Sequence, residues 1–271
     1  MPNAAFSLIA AGQTDVGRVR ARNEDSFCIG TTGEFAVVCD GMGGHAGGDI
    51  ASRTAVEVIS GFLEDFAPPT TPTTSATNDS DKTLANPVDH DPTVRNALSV
   101  ARSAVLLANQ QIHALNKQRG FAEGRGMGTT AVGLWRLPGS PQMVVFHAGD
   151  SRLYRLRDGE LRALTRDHSL YQMWLDNGGR GVAPQRNIIL RALGTGEEVE
   201  PELAVHSLLP DDALLLCSDG LNGMLPDAAI ARILGQETVP ERACAALVEA
   251  ANAAGGQDNI TVVVARFAKA T

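Results

Sequence analysis

Two hydrophobic rhythms divide this chain. Phe35-Ala-Val-Val-Cys, Met143-Val-Val-Phe-His-Ala and Leu214-Leu-Leu-Cys are unbroken apolar runs, the pattern of strands covered on both faces. Ile50, Ala51, Ala55, Val58, Ile59, Phe62 and Phe66 instead recur at helical spacing, which predicts a helix ending at Pro68-Pro69. Val94, Leu98, Ala101, Val105, Ala108, Ile112 and Leu115 make one stripe of a second, longer helix from about Val94 to Lys117. The texture then turns to strand. Met127–Trp135 and Met143–Ala148 read as strands, and Ser151–Arg157 and Glu160–Leu164 alternate about Asp158-Gly159, a hairpin signal. Helices near Pro226–Leu234 and Pro240–Ala253 precede a last strand, Ile260–Phe267. Hairpins rather than βαβ units predict antiparallel sheets covered by helices, an α+β fold.

Two stretches follow neither rhythm. Residues 67–93 are rich in Thr, Ser, Asp, Asn and Pro with few apolar anchors, so they bury too little to offset the entropy of ordering. They are expected to be a flexible insertion in one fold, not a linker between two. Residues 166–200 are polar and glycine-dotted, with one apolar patch at Leu170–Leu175; a mobile flap is expected there, at about 167–193.

Composition narrows the function classes. A net charge of −8, from 23 basic against 31 acidic residues with no basic run, argues against nucleic acid and anionic membrane as partners. Cys28, Cys39, Cys217 and Cys244 have no CxxC spacing, so neither a zinc site nor a disulfide framework is indicated. That usage fits a reducing cytoplasm. No signal peptide and no run of bilayer-spanning length is visible, and a soluble cytoplasmic protein is expected.

Each of the three apolar runs leads to an aspartate: Asp40, Asp150 and Asp219. A charge there is costly unless it is paired or holds a metal. Asp-Gly, at 40–41 and 219–220, is common turn chemistry, and one such pair alone would mean nothing more. Taken together, and with Asn23-Glu24-Asp25 and Gln257-Asp258-Asn259, they predict carboxylates gathered around cations at one edge of the core. The turn Gly41-Met-Gly-Gly-His45-Ala-Gly-Gly48 lacks the endings of nucleotide-binding loops. Its glycines predict a sharp bend beside a metal, where a main-chain carbonyl can ligate. His45 is either a general acid or a residue that fixes the loop. Arg20 and Arg22 are candidates for capturing phosphate oxygens, with a surface ion pair as the alternative. His147 lies inside a strand and reads as structural, while His90, His113, His168 and His206 carry no motif. A site rich in oxygen and poor in His and Cys points to Mg²⁺ or Mn²⁺ rather than zinc.

The ordered set Arg20-x-x-Asn-Glu-Asp25, Asp40-Gly-Met-Gly-Gly-His45, Gly126-Met-Gly-Thr-Thr130, Gly149-Asp-Ser-Arg152, Ser218-Asp-Gly-Leu221 and Gly256-Gln-Asp-Asn-Ile-Thr261 resembles the bacterial metal-dependent Ser/Thr protein phosphatases of type 2C over nearly the whole chain. The resemblance implies a four-layer αββα sandwich, two antiparallel β-sheets flanked by helices, forming a single catalytic domain over 1–271. It implies two Mn²⁺ or Mg²⁺ ions: Asp40 bridging both, Asp219 and Asp258 completing one shell, Glu24 and the Gly41 carbonyl serving the other. Asp150 would share a third, weaker ion with Asp219. Asp25 would support a metal-bound water, Arg20 would bind the substrate phosphate, and His45 aligns with the general acid. The implied reaction is in-line attack on phosphorus by a hydroxide held between the metals.

The implied substrates are phosphorylated Ser/Thr proteins, among them a cognate Ser/Thr kinase, and a monomer is expected. The flap looks shorter than in many bacterial relatives, so substrate preference transfers least. A non-catalytic phosphoprotein-binding module on the same fold is the alternative; its mark would be a lost metal carboxylate, and none is missing. A two-metal hydrolase acting on nucleic acid is a more distant reading, opposed by the absence of a basic face.

Overall fold

The unbroken apolar runs become the interiors of two stacked sheets. The computed structural model describes residues 6–43, 47–66, 91–122, 124–137 and 139–269. One sheet orders β1 (Phe6–Asp15), β11 (Ile260–Lys269), β10 (Ala213–Cys217), β7 (Arg152–Arg157) and β8 (Glu160–Ala163). The other orders β2 (Asp25–Ile29), β3 (Phe35–Met42), β5 (Ala131–Arg136), β6 (Gln142–Ala148) and β9 (Glu202–Ser207), with the two-residue β4 (Gly128–Thr129) added to β3. Every pairing is antiparallel.

Successive residues on a strand face opposite ways, and here both ways are apolar. Ala36 and Val38 of β3 and Met143 and Val145 of β6 meet Leu214 and Leu216 of β10 and Val263 and Phe267 of β11 between the sheets. Their neighbours Val37, Cys39, Val144 and Phe146 pack outward under α1 (Gly48–Glu64) and α2 (Pro92–Gln118). Leu215, Cys217, Val262 and Val264 do the same under α5 (Asp227–Gln236) and α6 (Pro240–Ala253). The result is the four-layer αββα arrangement.

Several boundaries differ from the sequence expectation, each for a physical reason. β1 pairs along its whole length with β11, ending with Asp15 opposite Ile260. β2, which no apolar run announced, begins at Asp25 and is fixed by its register against β3. Met127–Trp135 splits into β4 and β5 at Thr130, whose side chain and backbone turn to Asp40. β9 is a half-exposed edge strand, without the continuous apolar signature. Within the flap, α3 (Leu170–Asp176) is capped by Ser169 and has no buried residue. The expected insertion at 67–93 falls largely outside the described residues. Its end is ordered: Asp91 accepts the Thr93 amide at 2.8 Å and Pro92 opens α2. Among the described residues, no helix is long and apolar enough to cross a membrane.

Candidate metal centre

The register of β2 against β3 sets Asp25 opposite Asp40. Asp40 is not at a strand end as its run suggested; β3 continues through Gly41 and Met42, which pair with β4. Thr130 fixes it from both sides. The Asp40 amide donates to Thr130 Oγ1 at 3.0 Å, and the Asp40 carbonyl accepts the Thr130 amide at 2.9 Å. The next residue closes the approach of Glu24: the Gly41 amide donates to the Glu24 carbonyl at 3.1 Å. A Cβ at Gly41 would collide with the Glu24 and Gly48 carbonyls, and one at Gly48 would sit 3.0 Å from Glu24 Oε2. Only glycines allow the start of α1 to lie against Glu24.

From the other sheet come Asp219, first residue of the short α4 (Asp219–Asn222) after β10, and Asp258, just before β11. Asn259 ties that corner together. Its Oδ1 accepts the Glu24 amide at 2.8 Å, and its Nδ2 donates to the carbonyls of Val16 and Arg22, each at 2.9 Å. Asp150 follows Gly149, whose φ of +120° brings its Cα face onto Thr130, and Ser151 Oγ lies 2.6 Å from Thr130 Oγ1. Thr130 and Asn259 are thus the fasteners of the centre. Asn259 stands beside Asp258 in its motif, and Thr130 ends a motif with no acidic residue.

Electrostatically the cluster is unfinished. Burial, reinforced by Asp25, Asp219, Asp150 and Asp258, raises the Asp40 carboxyl well above the usual range. Burial also lifts Asp25 to about 6, partly offset by the Thr261 and Ser218 hydroxyls. Asp219 rises to about 6 through burial and the nearby Asp258, and Asp150 to about 7 through burial and Asp219. Asp219 is among the charges that raise Asp40, and like charges gathered in this way favour a proton or a cation between them. Ser218 Oγ donates to Asp25 Oδ2 at 2.7 Å, while the buried Oδ1 has no partner. Hard-oxygen donors, one of them orphaned, are of the type that divalent Mg²⁺ or Mn²⁺ takes, although among the described residues no three of these carboxylates bring oxygens within 4.8 Å of one another.

Other candidates fall into place around this edge. Arg20 Nη2 is 2.6 Å from Asp258 Oδ2, with its side chain half exposed. Asp150 and Asp219 open onto a cavity of about 140 Å³ whose far wall is the flap, at Tyr171, Gln172 and Arg186. Arg22 gives its carbonyl, not its guanidinium, to Asn259. His45 lies outside the described residues. His147, His168 and Glu202 bring ligand atoms within 4.8 Å of one another, but the Arg191 guanidinium stands 3.0 Å from His168 Nε2, a fixed positive charge where a cation would bind.

Residues 18–252 match the protein phosphatase 2C family. The chain belongs to this family. It is 35% identical over 270 residues to the serine/threonine protein phosphatase PstP of Mycobacterium tuberculosis, covering 98% of this chain but 46% of that protein. The chain therefore spans about half the length of that relative. It is 34% identical over 265 residues to the serine/threonine phosphatase stp of Listeria welshimeri, covering 93% of each. The crystal structure of the PstP catalytic domain in complex with two manganese ions superposes with a TM-score of 0.79 at 33% identity, over 97% of this chain and 100% of that one. Membership of the 2C family implies divalent cations, in keeping with the unfinished carboxylate cluster.

Proposed function

We propose that this chain is a metal-dependent protein phosphatase that hydrolyses phosphoserine and phosphothreonine monoesters, opposing a Ser/Thr kinase in the cytoplasm. The observation that carries the reading is the convergence of Asp25, Asp40, Asp150 and Asp219, from both sheets, as mutually repelling carboxyl groups at one edge. Asp40, Asp219, Asp258, Glu24 and the Gly41 carbonyl would hold two ions, Mn²⁺ or Mg²⁺, with Asp150 and Asp219 offering a third, weaker position. Bound there, the ions supply positive charge against the phosphoryl oxygens and make water a nucleophile at neutral pH.

The chain's own groups complete the chemistry. Arg20, oriented by Asp258 at 2.6 Å, presents a guanidinium fork to two phosphate oxygens. Asp25, with one oxygen held by Ser218 and the other free, receives the proton of the attacking water. His45 donates a proton to the departing Ser or Thr oxygen. The shared inter-sheet core supports treating the chain as one catalytic domain.

The test is phosphate release from phosphothreonine and phosphotyrosine peptides, with Mn²⁺ and with a chelator. Turnover should need metal, favour phosphothreonine, and fall more than about 100-fold in Asp40→Asn, since even outer partners of metal ligands cost 10–100-fold. Metal-independent turnover, or phosphopeptide binding without release, overturns the reading.

A further inference from the structure

The flap is anchored to the centre by three consecutive residues at its base. Arg166, through its carbonyl, meets His147 Nε2 at 2.9 Å. Asp167 takes a bidentate bond from Arg152, with both distances 2.7 Å. His168 binds Gly149 twice: its amide donates to the Gly149 carbonyl at 2.8 Å, and its Nδ1 accepts the Gly149 amide at 3.2 Å. These contacts bracket Asp150 on both sides in sequence.

His168 is the member that touches both sides of the junction. Its carbonyl accepts the Leu190 amide at 2.7 Å, closing the flap on itself. Its ring stacks on His147, centroids 4.4 Å apart and planes within 11°, so it is held in one orientation. Nδ1 receives the Gly149 N–H at 3.2 Å, while Nε2 lies between Arg191 Nη1 at 3.0 Å and Glu202 Oε2 at 3.4 Å. The same Arg191 nitrogen also donates to the Glu200 carbonyl at 3.4 Å. Gly149 has φ +120° and no room for a side chain against Thr130, so its two backbone groups, both taken by His168, set the direction in which Asp150 leaves the turn.

We infer that His168 is a positioning residue that transmits the seating of the flap to the Asp150 carboxylate through both backbone polar groups of Gly149. The inference rests on the proposed role of Asp150 as a cation ligand. Its chemistry is specific: an acceptor is needed at the Nδ1 position, which asparagine can offer and glutamine cannot.

His168→Asn, His168→Gln, Asp150→Asn and the double variant His168→Gln/Asp150→Asn are compared in Mn²⁺ titrations, read both by thermal shift and by p-nitrophenyl phosphate turnover. His168→Asn should match the parent protein. His168→Gln should raise the half-saturating Mn²⁺ concentration about tenfold, as loss of an outer partner of a metal ligand does, and lower kcat with KM unchanged. The double variant should be no worse than Asp150→Asn alone, since the two changes act on one element. Equal behaviour of the Asn and Gln variants, or full additivity in the double variant, overturns the inference. So does a lowered melting temperature in chelator with an unaltered Mn²⁺ response, the mark of a merely structural role. If the parent protein shows no Mn²⁺-dependent turnover, the functional reading fails instead, while the thermal-shift comparison still judges His168.

Discussion

The carboxylate edge and the flap face each other across one cavity, yet they are held by different physics. Asp40 rides on β3, where Ala36, Val37, Val38 and Cys39 are completely buried, and Asp219 leaves β10, whose residues are all buried. Side-chain packing on two faces fixes their register, because a one-residue slip would exchange the two cores. Between 170 and 191 the flap has no such support. α3 buries nothing, and Met173, Leu175, Val182, Ile188 and Leu190 are exposed. What holds the flap is polar: Arg152 on Asp167, the Trp174 indole on the Arg180 carbonyl at 2.8 Å, and the amides of Leu170 and Leu190. Segments with few buried apolar contacts open at low free-energy cost. The centre is rigid by packing, and its cover is adjustable by hydrogen bonding.

The contrast can be broken most severely from the core side. Phe146 is fully buried under α1 and α2, so Phe146→Ala should cost about 3–5 kcal/mol, measured by urea denaturation with metal present. A cost near zero would mean that the strand carrying Asp150's turn is not positioned by packing.

A smaller effect separates the centre from the flap by pH. In metal-free protein Asp25 and Asp219 titrate near 6 and Asp150 near 7, all raised above the ordinary carboxyl value. The folded state therefore keeps protons that the unfolded chain has already lost, and stability falls as pH rises through this window. Between about pH 4 and 7 the loss should be on the order of a few kcal/mol, and Mn²⁺ should restore it near neutrality. Thermal melts in chelator across that range decide the matter; a melting temperature that climbs from acid to neutral pH would contradict the crowded-carboxylate picture.

The mildest change belongs to the flap. Met173→Ser, at an exposed site on α3, should alter stability by less than about 0.5 kcal/mol, while KM for a phosphopeptide moves more than KM for p-nitrophenyl phosphate. Equal changes for both substrates would remove the flap from peptide recognition.

Much of this was legible beforehand, and unevenly so. Strands buried on both faces announce themselves as unbroken apolar runs, and α1 and α2 as single stripes, because burial in such elements depends on local sequence alone. β2 and β9 did not, since each is an edge or near-edge strand whose partner supplies the evidence of pairing. Asp40, Asp150 and Asp219 were found by their improbable position after apolar runs. His168 was passed over because a lone histidine in a polar segment has no signature; its importance is a matter of what stands across from it.

The chain's order of residues alone determined the helices, the doubly buried strands and the set of carboxylates, since each follows from burial periodicity or from the cost of an unpaired charge. Only the folded arrangement decided which carboxyl groups meet, that Thr130 and Asn259 fasten them, and that the flap reaches Asp150 through Gly149. Those facts depend on contacts between residues up to 243 positions apart, such as Asn259 and Val16. The register of two stacked sheets brings such residues together, and no local pattern encodes it.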